Sequence, residues 1–140
     1  MNSNEYRINN FVKVEDDFCR IIGIAEEDFW IYPLEKKAFD VLSKKTKEGF
    51  ISNIPMSEAI LLNFGFKETN AMENLAREWN VEYEIEKDNF SVIYNKTLNF
   101  FEFSYSNGID WIFVKIDFVH ELQNLFFSLT KKELIYQPIG

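Results

Sequence analysis

His120 and Cys19 are the only histidine and the only cysteine among 140 residues, which removes most side-chain chemistry at once. His120-Glu121 resembles the start of a zinc-protease helix, but the second histidine, due four positions on, is replaced by Asn124. A structural zinc site needs several Cys or His ligands, and two such residues cannot supply them. A Cys19–His120 nucleophilic pair would need an activated thiolate. Cys19 instead sits between Phe18 and Arg20 in an apolar run with no evident electropositive surrounding, and reads as a small buried hydrophobe. The 5 glycines are scattered, so neither a phosphate loop nor a dinucleotide fingerprint is formed. The carboxylate pairs Asp16/Asp17 and Glu26/Glu27 read as polar turns. The expectation is therefore no catalytic residue, no cofactor, no metal and no enzyme activity, with a cryptic metal-dependent hydrolase or nuclease kept as a remote alternative.

What remains is binding chemistry, and three sets of residues carry it. Glu82, Glu84 and Glu86 alternate with Val81, Tyr83 and Ile85. On a strand this puts three carboxylates on one face about 7 Å apart, a row that could imitate a phosphate backbone in a basic groove. The plain alternative is a solvent-facing strand, polar outside as half-buried antiparallel strands are. Lys36, Lys37, Lys44 and Lys45 belong to a basic cluster that could touch nucleic-acid phosphates, or could be the charged surface of a helix. His120, Gln123 and Asn124 border an apolar helical stripe, where they either meet a partner or bond backbone and solvent.

Charge weighs on all three sets. There are 23 acidic against 15 basic residues, a formal net charge of −8. That disfavours tight non-specific binding to nucleic acid or to an anionic membrane, and favours a basic partner. A single cysteine permits no disulfide within the chain and suits a reducing cytosol, so a cytoplasmic location is expected. The first residues lack an apolar stretch, and no run reaches the length of a membrane span.

The elements that must position these residues follow from the pattern. Residues 11–14, 18–24 and 29–32 read as a β-meander with acidic turns, curling into a small half-barrel, and residues 50–54 as a closing strand. Residues 35–48 are ambiguous between helix and loop. Ser57 caps a helix that Gly65 ends, with Phe66 folding back on Leu61. Met72, Leu75, Ala76 and Trp79 share the face of a second helix over 70–79. Four strands follow, at 81–86, 90–94, 98–105 and 111–116, with Ser106-Asn107-Gly108 as a tight hairpin signal. A last helix runs over 117–129, with Asp117 as its cap. With 15 Phe, 6 Tyr and 3 Trp, the chain holds enough ring area for a solid core. The fold class expected is α+β: a β-rich half over 1–54, then over 55–140 a connecting helix and a four-stranded antiparallel sheet with the C-terminal helix packed on it.

Three stretches carry a family resemblance. They are the tail Val119-His120-Glu121-Leu122-Gln123-Asn124-Leu125-Phe126-Phe127-Ser128-Leu129-Thr130 with Glu133-Leu134, the segment Ile54-Pro55-Met56-Ser57-Glu58-Ala59-Ile60-Leu61-Leu62-Asn63-Phe64-Gly65-Phe66, and the opening Arg7-Ile8-Asn9-Asn10-Phe11-Val12. Together they resemble small uncharacterised proteins of Bacteroidetes-type bacteria and their phages. The chain departs from that family at residues 67–80, which look like an inserted helix, and at Lys131, where the family has Gly. The resemblance brings no catalytic residues. It implies a mobile-element origin and, by association with other small acidic proteins of such origin, an inhibitor that binds a host protein such as a CRISPR nuclease or its RNA-bound complex. The alternative is an intracellular adaptor or a structural subunit of a homo-oligomer.

Overall fold

A computed structural model describes residues 6–26, 28–34, 44–69, 79–85, 90–106 and 109–137. The chain divides into two compact units, one of Met1–Pro55 with Phe118–Glu133, the other of Met56–Asp117 with Leu134–Gly140. The class is α+β, built on two antiparallel sheets and helices.

The first unit is the meander the alternation foreshadows. β1 (Phe11–Val14), β2 (Asp17–Ala25), β3 (Asp28–Pro33), β4 (Lys44–Lys47) and β5 (Ile51–Ser52) form one sheet in the order β4-β3-β2-β1-β5. Val14 pairs with Asp17 and Ala25 with Asp28, so each acidic turn spans two residues. Glu15 and Glu26 take the positive φ, 59° and 50°, that such tight reversals require. A bulge between Ile21 and Gly23 bends β2, and a Cβ at Gly23 would lie 3.5 Å from Trp30. The bend curls the sheet into a half-barrel. Its inner side holds Val12, Val14, Cys19, Ile21, Phe29, Ile31 and Ile51, closed by Tyr6. Residues 44–47, left between helix and loop by the sequence, are a strand, because Thr46 pairs inward with Phe29 while Lys45 faces outward beside Trp30 and reaches Asp28 at 3.2 Å. Lys36 and Lys37 lie outside the described residues.

α2 (Val119–Thr130) completes this unit, and here the expectation fails. The C-terminal helix was to pack on the second sheet; it packs against β1 instead. Its apolar stripe of Val119, Leu122 and Phe126 is buried as the periodicity requires. A stripe, however, states only that a helix has a receiving surface. The polar groups beside the stripe choose which surface, and they find their partners at residues 7–11. Asp117 does not cap the helix either. Phe118 is the N-cap residue, and the Glu121 carboxylate accepts its backbone N–H at 2.9 Å. Lys131 ends the helix in the left-handed region, φ 61°.

In the second unit α1 (Glu58–Asn63) follows its sequence signals. The Ser57 hydroxyl accepts the N–H of Ile60 at 3.2 Å. Gly65 sits at φ 92°, its N–H donates to Leu62 O at 3.0 Å, and the Phe66 N–H donates to Leu61 O at 3.0 Å. That pair of bonds is the Schellman closure, and it buries Leu61 and Phe66 together at the turn. The sheet has five strands where four were expected: β6 (Lys67–Glu68), β7 (Asn80–Glu84), β8 (Phe90–Asn95), β9 (Phe100–Ser106) and β10 (Trp111–Ile116), in the order β10-β9-β8-β7-β6. The extra strand is two charged residues long, too short to leave a pattern. Phe101, Phe103 and Tyr105 share one face, opposite Tyr94, Val92 and Phe90 respectively. The last described pair of β9 and β10 is Ser106 with Trp111; Asn107 and Gly108, which carry the hairpin signal, lie outside the described residues. The helix expected over 70–79 falls outside the described residues except for Trp79, which is half exposed.

Candidate functional site

β7 carries the acidic row. Val81, Tyr83 and Ile85 are buried and Glu82 and Glu84 point to the other side, as the alternation dictates. Glu86 lies outside the described residues. Neither glutamate is fully solvated, for both are half-buried. Burial pushes the Glu82 carboxyl above its ordinary value, and the neighbouring Glu84 adds repulsion in the same direction.

Cross-strand register then brings in a residue that no local pattern singled out. Glu82 pairs with Ile93, Ile93 with Glu102, and Glu102 with Lys115, so Glu102 joins the acidic face across an intervening apolar residue. One row along, Glu84 pairs with Ser91, and Ser91 with Ser104, whose buried hydroxyls lie 2.6 Å apart. Lys67 stands opposite Glu84 on the outer strand. The face therefore has three carboxylates inside and a lysine at either margin. Glu102 was legible only as an acidic residue between Phe101 and Phe103; its neighbours depend on strand order, which sequence does not carry. On the opposite face Tyr83 donates its hydroxyl to the Glu58 carboxylate of α1, and burial, with that bond, raises its pKa.

His120, Gln123 and Asn124 occupy quite different ground. Gln123 is 1% exposed. Its amide oxygen accepts the Phe11 N–H at 2.8 Å and its amide nitrogen donates to Asn9 O at 3.1 Å, so it binds backbone as a strand would. Asn124 accepts from Arg7 Nε at 2.9 Å and from Asn10 Nδ2 at 2.8 Å. Arg7 also pairs with Glu133 and lies over the Phe127 ring at 4.4 Å. His120 is buried with its ring 4.9 Å from that of Tyr6. All three residues face the chain leading into β1: Gln123 meets its backbone, Asn124 the side chains of Arg7 and Asn10, and His120 the ring of Tyr6.

Lys45 belongs to a third place. The two edges of the curled sheet flank a cavity of about 570 Å³, lined from β4 by Lys45, Thr46 and Lys47 and from the other side by Val14, Phe50 and Ser52. Phe50, in the 3-10 turn Glu48–Phe50, is 70% exposed there. Lys44 lies on the same strand. The structure thus separates the basic strand from the acidic one, placing them in different units.

Among the described residues no group of three or more His, Cys, Asp or Glu could hold a metal ion, and no helix is long and apolar enough to cross a membrane. The chain matches no protein-family model, no curated protein and no solved structure.

Proposed function

We propose that this chain is a non-enzymatic binding protein of phage or mobile-element origin, and that its acidic β7 face occupies the basic or RNA-binding surface of a host defence nuclease such as an RNA-guided CRISPR effector. The observation that carries the reading is that Glu82 and Glu84 lie side by side on a half-buried face that Glu102 extends. Holding like charges together on a half-buried face is unfavourable for the chain alone, and a cationic surface laid over them offsets the repulsion. The net charge of −8 steers such an encounter at long range. The resemblance of the tail and of the Ile54–Phe66 segment supplies the class of partner. A cytoplasmic setting belongs to the same reading.

Affinity-tagged chain expressed in a host should retrieve one dominant basic partner, released as salt is raised. Replacing Glu82, Glu84 and Glu86 together by Gln should weaken that capture about tenfold or more, the scale of one or two lost charge pairs. Capture unchanged by the triple substitution would remove the acidic face from the mechanism, and recovery of no partner at low salt would remove the reading itself.

A further inference from the structure

The outward face of the first sheet mixes rings with cations. β1 to β4 turn Val12, Ile21, Phe29, Ile31 and Thr46 inward. The residues that alternate with them face out. Across the strands Lys13 pairs with Phe18, Arg20 with Tyr32, Gly23 with Trp30, Trp30 with Lys45, and Asp28 with Lys47. Trp30 is 36% exposed, and its indole leans on Gly23, with Cε3 3.5 Å from where a Cβ would stand. Lys45 Nζ lies 5.5 Å from the Trp30 ring, and the Arg20 guanidinium 5.8 Å from the Tyr32 ring. Lys45 is held by Asp28, whereas Lys13, Arg20 and Lys47 form no ion pair among the described residues. These strands therefore present four cations against one carboxylate, in a chain whose net charge is −8.

We infer that this face binds a short single-stranded segment of nucleic acid. Trp30 and Tyr32 stand two residues apart on β3, so their rings emerge about 7 Å from one another, close to one step of an extended strand of nucleotides. Arg20 flanks that row from β2, and Lys45 and Lys47 flank it from β4. Bases stack on the rings while phosphates meet the cations on either side, a recognition that needs no particular sequence. An acidic peptide would satisfy the cations but brings no flat group for the rings. A nucleotide brings one phosphate and one flat base at every step. The acidic turns at Glu15–Asp17 and at Glu26 lie at the two ends of β2 and repel phosphates beyond them, which keeps the bound segment to a few nucleotides. The overall negative charge works in the same direction and makes the binding weak and sensitive to salt. The inference is independent of the acidic face, which lies in the other unit; either can fail while the other stands.

Short fluorescein-labelled oligo(U) and oligo(dT), titrated with the full chain at low salt and followed by anisotropy, are the probes, one for each sugar. Saturable binding of at least one is expected in the micromolar range. The logarithm of its association constant should fall against the logarithm of salt concentration with a slope of about −2, the value for three unpaired cations on a single strand. Trp30→Leu should weaken binding about fivefold or more, and Trp30→Phe, which keeps a ring, should restore most of it. Lys47→Gln, at an exposed site, should reduce the salt slope by about 0.7. The oligo(dA)·oligo(dT) duplex should bind more weakly than the single strand, because its bases are already stacked on one another. Should Trp30→Leu fail to fold, the Lys47→Gln slope decides alone. Absence of saturable binding to both probes, a folded Trp30→Leu that binds as wild type does, or a salt slope unchanged in Lys47→Gln would each overturn the inference. So would a duplex bound as tightly as the single strand, or a poly-glutamate peptide bound more tightly than either oligonucleotide, which would give the face to an acidic protein instead.

Discussion

The side-chain amide of Gln123 accepts the backbone N–H of Phe11 at 2.8 Å, joining residues 112 apart in sequence. Its other end donates to Asn9 O, so one glutamine satisfies a donor and an acceptor at the start of β1. Asn124 and Arg7 extend the contact by one residue along the helix and by two residues before Asn9. The tail helix and the opening segment are thus held by matched polar groups as well as by the Leu122 and Phe126 stripe.

Gln123→Leu should therefore destabilise the chain although it adds apolar surface at a buried site. The substitution leaves the Phe11 N–H and the Asn9 carbonyl without their partner, which costs about 2–4 kcal/mol for two buried groups. Urea unfolding followed by circular dichroism should show the midpoint fall at unchanged slope. A midpoint equal to that of wild type would mean that water satisfies the two backbone groups, and that the contact is not structural.

Glu82 makes stability depend on pH with a sign opposite to that of a salt-bridged carboxylate. Its folded pKa is raised above the ordinary 4.5, by burial first and by Glu84 second. The folded chain therefore binds the proton more tightly than the unfolded one. The resulting stabilisation is full below 4.5 and is lost as pH rises through the raised value. Glu82→Gln should accordingly be the more stable protein at neutral pH, by less than about 1 kcal/mol for a group still partly in water. The difference should vanish in acid. Paired urea titrations on either side of this window decide it, and a variant less stable than wild type at neutral pH would reverse the argument.

The two helix ends give opposite responses to opposite substitutions. Lys131 sits at φ 61°, where a side chain meets the backbone, so Lys131→Gly should stabilise by up to about 1 kcal/mol. Gly65 at φ 92° already has the residue its conformation favours, and Gly65→Ala should destabilise by about 1 kcal/mol or more. Thermal melts of both variants test the pair. Equal shifts of the same sign would mean that neither end is governed by its backbone angle.

Much of the local structure was legible because its causes are local. The acidic turns at Glu15 and Glu26, the Ser57 cap and the Gly65 closure each depend on residues within a few positions of one another. The face of Glu82 and Glu84 was legible for the same reason, since alternation along one strand needs no second strand. Glu102 was not, because its place beside Glu82 is set through β8. The exposure of Phe113 was equally hidden: as a sequence element β10 looks like β9, yet Phe103 is buried in an inner strand and Phe113 lies on an edge.

The sequence by itself determined an α+β chain, most of its strands other than β4 and β6, and the side to which β7 turns Glu82 and Glu84. Backbone sterics and side-chain period act over two to five residues and leave little choice. Only the tertiary structure decided that α2 belongs with β1, that Gln123 serves the backbone and that β10 is an edge. An apolar stripe fits any apolar face about equally well, because burial has no direction. The hydrogen bonds to Asn9 and Phe11 do have direction, and their donors and acceptors come together only when both ends of the chain are in place.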